Sequence, residues 1–163
     1  MTPNHIFAAL ADFNAAIAAA EDREAPWRAL DALAASIVGA RLFTVMTVDL
    51  DEGVARRLYT NMPDAYPVSG TKPVTVTRWF EETILGRKLF VMNSNEEIAE
   101  HFADHELIAS LGCGSCVNMP VVMAGKVLGT VNMLGPAGFF TPARVDAVQH
   151  LKIPAIAAFA AAR

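Results

Sequence analysis

Alanine is spread so unevenly along this chain that it constrains the fold more than any other feature. Residues 1–40 hold 14 alanines and residues 142–163 hold 8, which is 22 of the 29 in the sequence. Alanine has the highest helix propensity, and its small side chain lets helices approach closely. Both ends are therefore predicted helical. Thr2-Pro3 supplies a cap and then proline at the first helical position, for a helix running to about Asp22. Pro26 opens a second helix that runs through Val38 and stops at Gly39. Thr141-Pro142 repeats the start signal for a last helix reaching Arg163, which Pro154 should kink by removing a backbone donor.

The middle has a different texture. Leu42–Val48 and Val54–Thr60 are β-branched and aromatic runs joined by Asp51-Glu52-Gly53, a predicted hairpin. Asn61–Pro73, rich in Pro, Gly, Asp and Ser, reads as a loop. Apolar residues at helical spacing over Val76–Leu85 and Asn95–Leu111 flank a short strand at Leu89–Met92. Two strong strands follow, Ser115–Val122 and Val127–Leu134, turning around Ala124-Gly125. The order predicts one α+β domain over 1–163 with a mostly antiparallel sheet. Residues 1–40 give its N-terminal helices, 42–134 its sheet and covering helices, and 141–163 its C-terminal helix.

Composition removes several function classes. With 53% hydrophobic and 18% charged residues the chain is not disordered. A net charge of −4 without any Lys/Arg run argues against a nucleic-acid partner. The first basic residue is Arg23, so a signal peptide's basic start is missing. The N-terminal apolar stretch is broken by Asp12 and Asn14, and the C-terminal one is about half the roughly 20 residues a membrane span needs. No membrane partner is expected, and the expected location is the cytoplasm. The only cysteines, Cys113 and Cys116, do not make a secreted disulfide framework.

Period two in the last hairpin separates two faces. Val117, Met119, Val121, Val127, Gly129, Val131 and Met133 form one wholly apolar set, suited to the alanine-rich helices. The complementary set is Cys116, Asn118, Pro120, Leu128, Thr130 and Asn132, which mixes polar with apolar groups. That second face is predicted to floor a ligand cavity. Buried amides and hydroxyls there need water or ligand atoms as partners.

At this point the sequence resembles the GAF domain family. The resemblance rests on Leu111-Gly112, Ser115–Val121 ending in Pro-Val, Gly125–Leu134, and Phe140-Thr141-Pro142 opening the last helix. It implies a central antiparallel sheet with terminal helices on one face and a ligand cavity on the other. The length leaves no room for a kinase, cyclase or other effector, so the chain looks like a stand-alone GAF protein. The resemblance also implies association through the terminal helices. Residues 4–20 and 143–163 are apolar enough to want a second copy, and a homodimer is expected.

Several constellations bear on chemistry. Cys113-Gly-Ser-Cys116 follows a helix and enters a strand, where three extended residues span about 10 Å, more than the roughly 7 Å a disulfide tolerates. One GAF subfamily, the free methionine-(R)-sulfoxide reductases, uses a cysteine just before this hairpin, and Cys113 or Cys116 falls near that place. Residues 61–112 contain no cysteine to resolve it, and Cys116, Asn132 and Leu134 stand where the reductases carry acids. The cyclic-nucleotide signature of other GAF members is absent, as is a bilin-attaching cysteine in the middle region. His101 and His105 share a helix face with Glu97, but without a catalytic Glu between them they read as a solvated face rather than a metal site. Tyr59, Tyr66 and Trp79 bring aromatic area with a polar handle to the cavity roof, and Lys72 and Arg78 are basic groups nearby.

The expected function is a non-catalytic, small-molecule-binding sensory module without cofactor or metal. Its candidate binding residues are Tyr59, Tyr66, Trp79, Cys113, Ser115, Cys116, Asn118, Thr130 and Asn132. The alternative is a thiol redox enzyme or sensor using Cys113 and Cys116.

Overall fold

The computed structural model describes residues 2–68 and 70–162. Met1 and Arg163, the predicted limits of the domain and of the last helix, and Ser69 in the 61–73 loop lie outside the described residues. Helix α1 spans Pro3–Ala18 and α2 spans Ala25–Ile37. The first helix stops short of Asp22 for a local reason. The Asp22 carboxylate accepts the backbone N–H groups of Glu24 and Ala25 at 2.8 and 2.7 Å, so it serves the start of α2 instead.

Strands β1 (Leu42–Asp49), β2 (Val54–Thr60), β3 (Thr71–Pro73), β4 (Phe90–Met92), β5 (Ser115–Met123) and β6 (Lys126–Gly135) form a single sheet in the order β3-β2-β1-β6-β5-β4. Every neighbouring pair is antiparallel. The short edge strand β3 falls inside the stretch the sequence predicts as loop, where turn residues surround only three paired ones.

The covering segments are more broken than their spacing suggests. Over 76–85, a π-helical turn occupies Phe80–Leu85, and the Gly86 N–H bonds the Glu81 carbonyl at 2.7 Å. Gly86 permits this closure, because a Cβ there would stand 2.7 Å from the Glu82 carbonyl oxygen. Over 95–111 two short helices appear, α3 (Asn95–His101) and α4 (His105–Ser110), separated where Phe102 becomes extended. The last segment divides into α5 (Pro142–Val148), a 3-10 turn at Gln149–Leu151, and α6 (Lys152–Ala161). Pro154 has no N–H to offer the carbonyl one turn earlier, and the irregular turn falls there.

The two faces of the sheet carry separate cores. Phe43, Val45, Val117, Met119, Val121, Val131 and Met133 pack with α2, α5 and α6 and with Ala9 and Phe13 of α1. On the opposite face Leu42, Phe90, Met92, Cys116 and Leu134 pack with Ile98, Ile108 and Tyr66. Two bulges interrupt the alternation. On β6 the pairing skips Leu128, taking Val121–Gly129 to Val122–Val127. Val127 therefore leaves the helix-side set predicted for it, and Leu128 packs partly buried against the helix-side core. On β2 the pairing skips Leu58, taking Val45–Tyr59 to Met46–Arg57. One extra residue reverses the face of everything beyond it.

Candidate functional site

Above the non-helical face, between β1, β2, β5, β6 and the covering segments, lies a cavity of about 200 Å³. Its floor is a hydrogen-bonded ladder across three strands and one covering turn. The Trp79 indole N–H donates to Asn118 Oδ1 at 3.1 Å. Asn118 Nδ2 donates to Asn132 Oδ1 at 2.7 Å, and Asn132 Nδ2 to Thr44 Oγ1 at 3.1 Å. Register makes this possible, because Asn118 pairs directly with Asn132 and Asn132 with Thr44. The expectation that these amides need a ligand is corrected: they satisfy one another.

The wall is more heavily charged than the floor. Arg57 stacks over the Tyr66 ring, 3.8 Å from its centroid, and its Nη1 donates to the Pro67 carbonyl at 2.6 Å. Tyr66 donates its hydroxyl to Asp104 Oδ2 at 2.5 Å, and Lys72 Nζ lies 3.7 Å from the same oxygen. Burial, and next its bond to Asp104, pushes the Tyr66 phenol well above its ordinary value, so it stays a donor. Met46, Ala55, Arg57, Tyr66, Lys72 and Asp104 also line a second chamber of about 240 Å³, so this charged group forms a partition between two spaces.

Of the candidate residues, the structure brings Tyr66, Trp79, Cys116, Asn118 and Asn132 to the cavity. Four others lie elsewhere. Tyr59 is on the helix side, partly buried against that core, with its hydroxyl donating to Asp31 Oδ2 at 3.1 Å; the bulge at Leu58 puts it there. Ser115 donates to the carbonyls of Gly135 and Pro136 at 3.2 and 2.7 Å and closes the strand end. Cys113 is buried in the cavity-side core without lining the cavity. Thr130 is fully buried between Pro120 and Met46 in the pairing, and its Oγ1 has no partner among the described residues.

Arg57, Asp104, Thr44 and Met46 are lining residues the sequence reading misses. Arg57 has the same parity as Tyr59, and only the bulge parts them. Arg78, the second basic residue noted near the roof, points its guanidinium at Glu82 Oε1 at 2.7 Å and is exposed.

The GAF domain family model matches residues 27–152. The chain belongs to the GAF domain family. Solved structures share this GAF fold at low identity. The GAF domain of a two-component sensor histidine kinase from Bacillus halodurans superposes with a TM-score of 0.66 at 10% identity, covering 82% of this chain and 90% of that one. The GAF domain of a phosphoenolpyruvate-protein phosphotransferase from Coxiella burnetii gives 0.62 at 12%, covering 94% and 95%. Free methionine-R-sulfoxide reductase from Neisseria meningitidis, solved with its substrate, gives 0.69 at 14%, covering 100% and 94%. No curated protein sequence matches the chain significantly.

In this GAF domain both thiols are free and buried. Burial pushes Cys116 far above the ordinary thiol range, with the Asn118 side chain pulling only partly back. Cys113 is raised for the same reason, against the pull of Arg41. A nucleophilic cysteine needs the opposite shift. Among the described residues no group of three His, Cys, Asp or Glu side chains is arranged to hold a metal, and no helix is long and apolar enough to cross a membrane.

Proposed function

We propose that this GAF domain is a non-catalytic, small-molecule-binding sensory module acting in the cytoplasm. The observation that carries this reading is the cavity itself. Its apolar walls stand over a self-satisfied polar floor and beside a charged partition, the arrangement of a preformed ligand site. The family is one of sensory modules, which agrees. Native mass spectrometry of protein purified from its own host should show a retained small-molecule mass, and removing that molecule should lower the melting temperature. At 100 times its dissociation constant a ligand adds about 2.7 kcal/mol. Protein that carries nothing, and that no metabolite in a broad panel stabilises, contradicts the reading.

The thiol-redox alternative meets two raised, buried cysteines. Its test is methionine-sulfoxide turnover that disappears in the Cys113→Ser/Cys116→Ser double variant.

The reading includes a homodimer through the terminal helices. Phe7 of α1 is 69% exposed and Ile153 of α6 is 74% exposed, and only Ala9 and Phe13 of α1 are buried. A second copy would cover the outer alanine face of α1. Sedimentation at low micromolar concentration should give a dimer that Phe7→Asp dissociates; a monomer throughout contradicts it.

A further inference from the structure

The charge around the cavity does not cancel, and that imbalance bears on what fits. Arg57 and Lys72 are cationic, and Asp104 is the one carboxylate among the lining residues. Asp104 is already engaged by the Tyr66 hydroxyl and faces Lys72. Arg57 and Lys72 against the single Asp104 carboxylate leave the partition one positive charge in excess. Arg57 has donors in reserve as well. One of its five N–H bonds goes to the Pro67 carbonyl, and its Nε is buried with no partner among the described residues.

We infer that the ligand of this cavity is a small single-ring monocarboxylate, its carboxylate held at the partition by Arg57 and Lys72; this rests on the binding-module reading above. Volume sets the size. An apolar cavity of about 150 Å³ takes up benzene, so about 200 Å³ accommodates one ring and a short acidic arm. The walls set the shape. Trp79 and Phe102 offer aromatic surfaces to a flat ring, and Ile108 and Leu134 complete an apolar pocket around it. Charge sets the head group. One carboxylate matches the one excess cation, whereas a phosphate monoester brings about −1.5 to −2 charges and sets the surplus beside the Asp104 carboxylate. Arg78 is not the anion's seat, since it is exposed and paired with Glu82.

Calorimetry on the full chain separates the possibilities with three probes of one shape: phenylacetate, phenethyl alcohol and phenyl phosphate. Phenylacetate should bind at least about tenfold tighter than either of the others, since charge-assisted hydrogen bonds are the strong ones. Lys72→Met should weaken phenylacetate by about tenfold and leave the alcohol unchanged. Lys72 is solvent-exposed, so this variant folds even where Arg57→Gln, stacked on Tyr66, does not. Equal binding of acid and alcohol, or a Lys72→Met variant that binds phenylacetate unchanged, overturns the inference and leaves the module reading standing. Failure of all three probes also overturns it. The module reading falls too only if host-purified protein carries no small-molecule mass and no metabolite in a broad panel stabilises it.

Discussion

The two faces of the sheet use the same strands for opposite purposes. On the helix side, alternate residues of β1, β5 and β6 seal an apolar layer that includes Phe43, Val45, Val117, Met119, Val131 and Met133. On the cavity side the intervening residues carry the polar ladder and face a charged partition. Each face even has its own tyrosine–aspartate pair, Tyr59 with Asp31 and Tyr66 with Asp104. The helix-side pair braces α2 against β2, whereas the cavity-side pair stands in a wall between two spaces. One layer holds the fold while the other is free to specify a ligand, and period two keeps them apart.

Matched truncations test that division most strongly. Met133→Ala, at a fully buried helix-side position, should cost about 2–5 kcal/mol in urea unfolding. Met46→Ala, in the wall of an existing cavity, should cost less than half as much, because less packing is lost there. Equal costs would erase the distinction. Next comes the floor. Asn132→Leu leaves the Asn118 amide and the Thr44 hydroxyl without their partner and should destabilise by about 1–3 kcal/mol. Asn118→Leu with Asn132→Leu should cost less than the two single changes added, since the pair acts as a unit.

Alkaline titration sharpens the comparison on the helix side. Burial, then Asp31, pushes the Tyr59 phenol from its ordinary value near 10 up to about 12. A raised folded-state value favours the protonated form, so its contribution is complete below the unfolded value and is lost as pH rises through the folded one. Stability should fall between about pH 10 and about pH 12, and Tyr59→Phe should flatten that decline. Arg78→Ala should have the smallest effect, within about 0.5 kcal/mol, because its pair with Glu82 is at the surface.

How much was legible in the sequence depended on whether the alternation ran unbroken. Cys116, Asn118 and Asn132 fall on the cavity side because β5 and β6 pair without interruption from Ser115–Gly135 to Val121–Gly129. Tyr59, Val127 and Leu128 take the opposite face from the one their parity predicts, because Leu58 and Leu128 are skipped in the pairing and nothing in the local composition marks a bulge. Trp79, Asn118 and Asn132 of the ladder are visible in the sequence, but Thr44 and the ladder's self-sufficiency are not, since both depend on which residues stand opposite each other. Arg57 was hidden by the same bulge that misplaced Tyr59. Asp104 was hidden inside a predicted continuous helix that in fact breaks beside it.

Two tryptophans, one in each layer, allow the central claim to be tested directly. Trp27 is buried in the helix-side core against Phe159, and Trp79 lines the cavity with its indole N–H on Asn118. The measurement is the position of both indole N–H resonances during titration with phenylacetate, assigned through a Trp79→Phe variant. The account predicts that the Trp79 resonance moves and saturates while Trp27 stays in place. Movement of Trp27 without Trp79 would put binding among the terminal helices and contradict it.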